Sequence, residues 1–151
     1  MPERRTIQRA RKAKRAGKAP STQAGEFVRE EIEHVREGKH GARSTKQAIA
    51  IGLSKARRAG VDLPPPAKGQ ASQRTRVAAK RAYQAGRDGD GAVSASRSRA
   101  AKKALRSEPH AAASKLALSR QARASAKKRT AGERSAAARK AARTRARDKR
   151  R

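Results

Sequence analysis

Three histidines and one group of glutamates are the residues of this 151-residue sequence that could perform acid–base chemistry or bind a metal ion. The histidines are His34, His40 and His110. They lie far apart along a chain without cysteine, which is not the spacing of a typical metal site. The glutamates share one face of a predicted helix and are Glu26, Glu30, Glu33 and Glu37. A solvated helix face explains them better than a catalytic pocket does, so we predict no enzyme activity, catalytic residue, metal ligand or cofactor.

A second possible chemistry is phosphate binding near Gly38 and Gly41. Lys39, His40 and Arg43 precede a predicted helix N-terminus and could together hold one phosphate. No strand precedes these glycines and the Walker spacing is absent, so the glycines are better explained as helix punctuation.

The strongest functional signal is the positive charge. The chain has 42 Lys and Arg against 12 Asp and Glu, a net charge of +30, and residues 70–151 alone carry +20. A polyanion is the natural partner, because each neutralised phosphate releases condensed counterions. The basic side chains that we expect to contact nucleic acid are Arg9, Arg11, Lys12, Lys14, Arg15, Lys39, Arg43, Lys46, Arg57, Arg58, Lys102, Lys103, Lys127, Lys128, Arg129, Arg139, Lys140, Arg143, Arg145 and Arg147.

The kind of nucleic acid is indicated by the shortage of aromatic residues. Phe27 and Tyr83 cannot supply the stacking platforms that single-strand and specific RNA binders use, which favours backbone contacts to duplex DNA. Arginine outnumbers lysine 27 to 15, which suits bidentate phosphate contacts. A helix-turn-helix at residues 21–60 is disfavoured, because the basic residues of its second helix are scattered around it.

Two other classes of function stay open. An RNA- or ribosome-associated protein would have the same electrostatics. A protein-interaction adaptor would use the acidic face, which should point away from phosphate toward solvent, a protein partner or the chain's own basic arms. A membrane partner is not expected, because the basic tail lacks an apolar face, and there is no signal peptide or transmembrane run. We expect the protein in the cytoplasm, in the compartment that holds the nucleic acid, and the sequence does not indicate its oligomeric state.

Hydrophobic periodicity predicts a helical hairpin at residues 21–60. In residues 21–37 the apolar residues fall on one helical face, opposite the glutamates, and Gly38 is placed to end the helix. Ser44 and Gln47 predict a capping box at the start of the next helix, and Gly60 followed by Val61 predicts a Schellman-type end. Ala48, Gly52 and Ala56 would let the partner backbone approach closely.

The rest of the chain lacks large apolar side chains. Leu, Ile, Val and Phe number 15 of 151 residues, about 10%, below the roughly 20% at which high charge argues for disorder. We therefore predict an all-α protein in which a small helical hairpin carries long basic arms that are largely disordered or nascent-helical. The predicted divisions are a basic arm or helix at 1–20, the hairpin at 21–60, a Pro-rich linker at 61–69 and an Ala/Arg/Lys-rich tail at 70–151. Helix-prone pieces at 71–85, 94–107, 110–130 and 133–149 are interrupted by GRDGDG at 86–91, Pro109 and Gly132.

Residues 38–60, GKHGARSTKQAIAIGLSKARRAG, resemble a small family of uncharacterised bacterial and viral proteins that share the block GKHG-RS-KQAIAIGLS-AR-AG. The preceding STQAGEFVREEIEHVRE and the following VDLPPP are similar to its bacterial members, so the resemblance covers roughly residues 1–66. Such proteins are described as DNA-binding or plasmid-stabilisation proteins, which implies a nucleic-acid partner and no established mechanism. The tail is similar only in composition to histone-like and linker-histone tails, and departs from them by favouring arginine and lacking Ser-Pro-Lys-Lys.

Overall fold

A computed structural model describes residues 2–89 and 94–150, and this part of the chain is helical, with one isolated bridge between Lys68 and Ala71 as its only extended pairing. Its seven α-helices are α1 (Arg4–Arg15), α2 (Pro20–Arg36), α3 (Thr45–Arg58), α4 (Gln73–Arg87), α5 (Ala95–Arg106), α6 (Lys115–Lys127) and α7 (Ala131–Lys149). A single 3-10 turn spans Ala111–Ala113. The chain divides into two compact units, Met1–Ser114 and Lys115–Arg151. The all-α prediction is confirmed for the described residues.

The predicted hairpin forms from α2 and α3, which pack against each other. Phe27 and Val35 of α2 are buried, and so are Ala48 and Ala56 of α3. The close approach predicted at Gly52 is confirmed, because a Cβ atom there would lie only 2.6 Å from the Cα of Val28. Small residues on α3 thus let its backbone lie directly on that of α2.

Backbone turns end both hairpin helices as the glycines predict. Gly38 has φ +71° and Gly60 has φ +82°, a region that residues with a Cβ seldom adopt. After Gly60, the Val61 N–H donates to the Ala56 carbonyl at 3.1 Å, which gives the predicted Schellman end. The Ser44 hydroxyl accepts from the Gln47 N–H at 3.2 Å, the first half of the capping box. The second half differs, since the Gln47 side chain accepts instead from the N–H of Arg43 at 2.7 Å.

The acidic back of α2 is covered by α1, and this corrects the expectation of a solvated face. Glu30 is only 2% exposed, and its Oε2 accepts the backbone N–H of Glu3 at 3.1 Å. Arg9 of α1 lies 2.9 Å from Glu26. From the sequence, solvent, a protein partner and the chain's own basic arms are all possible neighbours of this face. In the structure, the N-terminal basic arm covers the N-terminal part of the face. Ile7 and Ala10 complete the packing of α1 beside Phe27.

The expectation that the arms are largely disordered is wrong. Beyond the prolines at 64–66, α4 packs on α3 and buries Ala79 and Ala82. The Cα of Gly86 lies so close to Arg57 that a Cβ atom there would overlap the Arg57 carbonyl oxygen. A count of large apolar side chains misses such packing, because Ala and Gly contribute by letting backbones approach closely.

Residues 105–113 also dock on the hairpin, through main-chain hydrogen bonds. The Gly41 N–H donates to the Leu105 carbonyl at 2.8 Å, and the Ala42 N–H to the Pro109 carbonyl at 3.0 Å. The buried Thr45 hydroxyl donates to the Ala112 carbonyl at 2.6 Å. The unit therefore runs from Met1 to Ser114 and contains the prolines within it.

The second unit contains α6 and α7, and no residue of either helix is buried. Thr130 and Glu133 form a complete capping box at the start of α7. The interruption predicted at Gly132 lies slightly earlier, at residues 128–130 between α6 and α7, and Gly132 is the second residue of α7. The interruption predicted at 86–91 falls partly outside the described residues. Within residues 2–89 and 94–150, no helix has the length and apolar character needed to cross a membrane.

Candidate nucleic-acid interface and Glu–His cluster

Most of the basic residues predicted to contact nucleic acid are exposed. On α1 these are Arg11, Lys12, Lys14 and Arg15, and around the start and end of α3 they are Lys39, Arg43, Lys46 and Arg58. In the later helices and their connections the exposed ones are Lys102, Lys103, Lys127, Lys128, Arg129, Arg139, Lys140, Arg143, Arg145 and Arg147. High helix propensity of Ala, Arg and Lys explains why these segments are helical although their side chains are solvated. Each of these helices thus presents cationic groups to solvent on its surface.

Two of the basic residues predicted to contact nucleic acid, Arg57 and Arg9, are not exposed. Arg57 is buried, and its guanidinium donates to the carbonyl of Leu63 at 3.0 Å and to that of Pro64 at 3.3 Å. Burial also lowers the pKa of Arg57. Arg57 therefore fixes the chain after α3 and is removed from the candidate interface. Arg9 is half-buried and paired with Glu26, so its charge is partly neutralised within the protein.

The glutamates of the hairpin are neutralised internally. Glu26 pairs with Arg9, Glu33 with Arg29 at 3.0 Å, and Glu37 with Lys39 at 2.9 Å. The hydrogen bond to Glu37 is the first cause of the raised pKa of Lys39. Each pair cancels one positive charge against one negative charge, so the net charge of +30 is unchanged and these glutamates are each compensated by a cation of the same chain.

The two aromatic residues are both engaged within the fold. Phe27 is 1% exposed in the core. Tyr83 donates its hydroxyl to Asp62 at 2.6 Å, and the Arg87 guanidinium lies 5.7 Å from its ring centroid. Phe27 is closed to a nucleobase, and Arg87 lies over one face of the partly buried Tyr83 ring, so the chain has no row of exposed rings on which successive bases could stack.

A buried ionic group lies where α2 faces α3. The side chains of Glu30 and Glu31 are 2% and 1% exposed, and Lys55 of α3 reaches both. Lys55 Nζ lies 3.3 Å from Glu30 Oε1 and 2.7 Å from Glu31 Oε2. Desolvation acts to raise the pKa of Glu30, but the Thr6 hydroxyl, the Glu3 N–H and Lys55 outweigh it and lower that pKa. Lys55 thus holds α3 onto the acidic side of α2.

Beside this group, Glu31, His34 and His40 come together as the Glu–His cluster. One ligand atom from each residue lies within 4.8 Å of the others. Glu31 and His34 are three residues apart on α2 and share a face. His40 reaches the same place because the Gly38 turn reverses the chain and because Gly41 is docked against residues 105–113. The rings of His34 and His40 meet edge to face with centroids 6.1 Å apart.

The sequence prediction missed this cluster. It treated the histidines as far apart and named no role for Glu31. The three-residue spacing of Glu31 and His34 could have indicated that these two residues share a helix face. The position of His40 beside them depends on contacts with a segment about 65 residues further along the chain. His110, the third histidine, is exposed and outside the cluster.

The structure does not assemble the phosphate site considered at Lys39, His40 and Arg43. Lys39 contacts Glu37 and also lies 3.5 Å from Glu3. The Nε2 atom of His40 faces Glu31 at 3.3 Å. Of the three, only Arg43 has no side-chain contact of this kind among the described residues, so no converging anion site forms there.

Residues 11–68 match the model of DUF6496, a family of unknown function. No curated protein matches the chain. No solved structure matches it either.

Proposed function

We propose that this protein binds nucleic acid through phosphate contacts made by its exposed basic helices, with duplex DNA as the preferred form and little preference for sequence. The observation that carries this proposal is the separation of charge within the fold. Hairpin glutamates are paired with cations of the same chain, and 18 of the 20 basic residues predicted at the interface are exposed; of these 18, Lys39 pairs with Glu37 and Arg147 lies 3.8 Å from Asp148. A surface of this kind attracts a polyanion over its whole length and selects no particular base.

Duplex DNA is proposed as the preferred form because both aromatic residues make contacts within the fold. Single-strand binders gain roughly 1–3 kcal/mol for each base stacked on an aromatic ring. With Phe27 buried, Tyr83 hydrogen-bonded to Asp62 and Arg87 over one face of the Tyr83 ring, this protein offers no series of exposed rings for successive bases. Backbone contacts to a duplex need only cations, and a nucleoid-associated, histone-like role in packing DNA follows from such contacts.

The adaptor alternative is favoured less, because Glu30 of its proposed surface is buried, although Glu37 is exposed and Glu33 is partly exposed. Glu30 is buried, and Glu26, Glu33 and Glu37 are each paired with a cation. A partner protein would have to displace α1 to reach Glu30. An RNA partner shares the phosphate chemistry of DNA and becomes an outcome of the test below.

The test is the salt dependence of binding to a random duplex, measured by fluorescence anisotropy after nuclease treatment and a high-salt wash. If about 6 to 10 phosphates are contacted, affinity should fall roughly 10³- to 10⁵-fold between 50 and 200 mM salt. A variant with Arg139, Arg143, Arg145 and Arg147 changed to glutamine should lower the salt slope by about 1 for each phosphate that it no longer neutralises. The matched control changes the same four residues to lysine, which preserves the charge.

Two duplexes of unrelated sequence should bind equally well, and a double-stranded RNA of the same length should compete less well than DNA. Equal or stronger competition by RNA would replace DNA with RNA as the partner. Absence of binding at 50 mM salt, or an affinity that does not change with salt, would overturn the proposal.

A further inference from the structure

The Glu–His cluster contains a contact that needs a cation. The Nδ1 atom of His40 lies 3.0 Å from the Gly41 carbonyl oxygen. A carbonyl can only accept, so this contact places a proton on Nδ1 and leaves a lone pair on Nε2 of a neutral ring. That Nε2 faces Glu31 Oε1 at 3.3 Å. Two acceptors in this position repel each other unless a proton or a metal ion lies between them.

Glu31 itself is poorly satisfied by the protein. Its side chain is 1% exposed; Oε2 has the Lys55 ammonium at 2.7 Å, whereas Oε1 has no hydrogen bond from the residues that the structure describes. Lys55 lies close to Oε2, which leaves Oε1 directed at His40. A buried carboxylate oxygen in this state is costly unless a cation completes its surroundings.

His34 has the supporting hydrogen bond that metal-binding histidines commonly have. Its Nε2 lies 2.9 Å from Glu3 Oε1, and this hydrogen bond is the first cause of the lowered pKa of Glu3. When Nε2–H donates to the carboxylate, the lone pair of the neutral ring is on Nδ1. Histidine ligands typically donate their second ring N–H to a carboxylate or a backbone carbonyl, and His34 and His40 provide one example of each.

We propose that Glu31, His34 and His40 bind a divalent transition-metal ion, with zinc as the expected metal. Two imidazoles and one carboxylate are a ligand set that zinc takes, with water in the fourth position. Bond lengths of about 2.1 Å at tetrahedral angles put neighbouring ligand atoms about 3.4 Å apart. The 3.3 Å separation between His40 Nε2 and Glu31 Oε1 fits this value.

The surroundings allow the ion to enter and leave one oxygen of Glu31 for it. The side chains of His34 and His40 are 14% and 16% exposed, so solvent reaches the cluster from their side. Lys55 Nζ lies against Oε2 of Glu31 and Oε1 of Glu30, so Oε1 of Glu31 is the oxygen left for the ion. The bound ion would connect α2 to the loop before α3, independently of any phosphate contact.

The test uses the full-length protein, freed of nucleic acid and dialysed against a chelator, because copurified nucleic acid would bind the probe metals. Co²⁺ is titrated while the visible absorption is followed, and Zn²⁺ is then added in calorimetry and as a competitor. We expect one equivalent to bind. Glu31→Gln, His34→Gln and His40→Gln should each weaken binding by more than about 100-fold, and Glu3→Gln by about 10- to 100-fold, the effect of removing a hydrogen bond that supports a ligand.

The matched control is His110→Gln, which removes the third histidine and should leave the affinity unchanged. If a variant fails to fold by circular dichroism, the wild-type protein still decides the question through imidazole nitrogen NMR. Zinc should shift the ring signals of His34 and His40 but not those of His110. No binding, or binding that His110→Gln weakens as much as His40→Gln does, would overturn the proposal and assign the cation between His40 and Glu31 to a proton.

Discussion

The contact between α2 and α3 at Gly52 predicts how a substitution there changes the free energy of unfolding, and a second glycine of the same hairpin serves as the reference. In Gly52→Ala, the added Cβ would lie 2.6 Å from Val28 Cα, 2.9 Å from Val28 N and 3.0 Å from the Phe27 carbonyl oxygen. Carbon atoms in ordinary contact are about 3.5–4.0 Å apart, so the helices must separate by about 1 Å. The atoms in the way belong to a helix backbone and cannot rotate aside. We expect overpacking to lower the free energy of unfolding by about 1–3 kcal/mol.

Gly25→Ala is the matched reference. Gly25 lies in the interior of α2, and an added Cβ there has nothing within 4 Å. Both substitutions gain the same helix propensity, about 1 kcal/mol, so the difference between the two variants isolates the overpacking at Gly52. Gly25→Ala should therefore be more stable than the wild type and Gly52→Ala less stable than Gly25→Ala.

Urea unfolding followed by the fluorescence of Tyr83 measures this difference. Tyr83 is the only tyrosine in a chain without tryptophan, and it lies on α4, which packs on α3. Circular dichroism alone would mix in the exposed helices of the second unit. If Gly52→Ala and Gly25→Ala have equal free energies of unfolding, the inference that α2 and α3 are in close contact at Gly52 is wrong.

Two further predictions concern single hydrogen bonds. Thr45→Val removes the buried donor to the Ala112 carbonyl, so it should lower the free energy of unfolding by about 1–3 kcal/mol and speed amide exchange at residues 105–113. Thr45→Ser keeps the hydroxyl and should keep the wild-type stability and exchange rates. Equal exchange rates in the two variants would contradict the docking of residues 105–113. The pKa of Glu133 is lowered, first by the Thr130 backbone N–H and then by the Thr130 hydroxyl. The capping box is therefore intact above the ordinary pKa of a glutamate and is lost as pH falls through the lowered one. The Thr130 amide proton in NMR should shift with that lowered pKa, and a midpoint at or above the ordinary value would refute the cap.

The local parts of this fold were predictable from the sequence because their causes lie within a few residues. The 3.6-residue periodicity of α2, the glycines after α2 and α3, and Ser44 before α3 each specify an element or its end. The helix-prone pieces of the tail follow from propensity in the same way. None of these signals needs information from elsewhere in the chain.

The burial of Glu30 was not predictable in this way. A helical wheel shows which residues share a face but not what covers that face. Glu30 has the same local signature as Glu33, yet α1 places the Glu3 N–H and Thr6 against it, and Lys55 approaches from α3. Its burial therefore depends on groups from two other segments, the start of α1 and the middle of α3, which a helical wheel of α2 does not contain.

The Glu–His cluster depends on still longer connections. The direction of the chain at His40 is fixed by Gly38 locally and by the docking of Gly41 on residues 105–113. A side chain at position 41 would overlap the Glu108 carbonyl, so this docking also needs glycine there. Sequence patterns within the hairpin contain no sign of that partner, which is why His34 and His40 were judged far apart.

Charged residues have two roles in this protein: some form ion pairs within the fold, and others are exposed and available to nucleic acid. Seven of the twelve acidic residues lie within the first 62 positions, where six glutamates pair with neighbouring cations. Pairs such as Lys55 with Glu31 are buried and little screened by salt, whereas the exposed cations of α7 are fully screened. Raising the salt concentration should therefore release nucleic acid well before it loosens the hairpin. A loss of Tyr83-reported structure over the same salt range that releases DNA would show that fold and binding depend on one shared set of exposed charges.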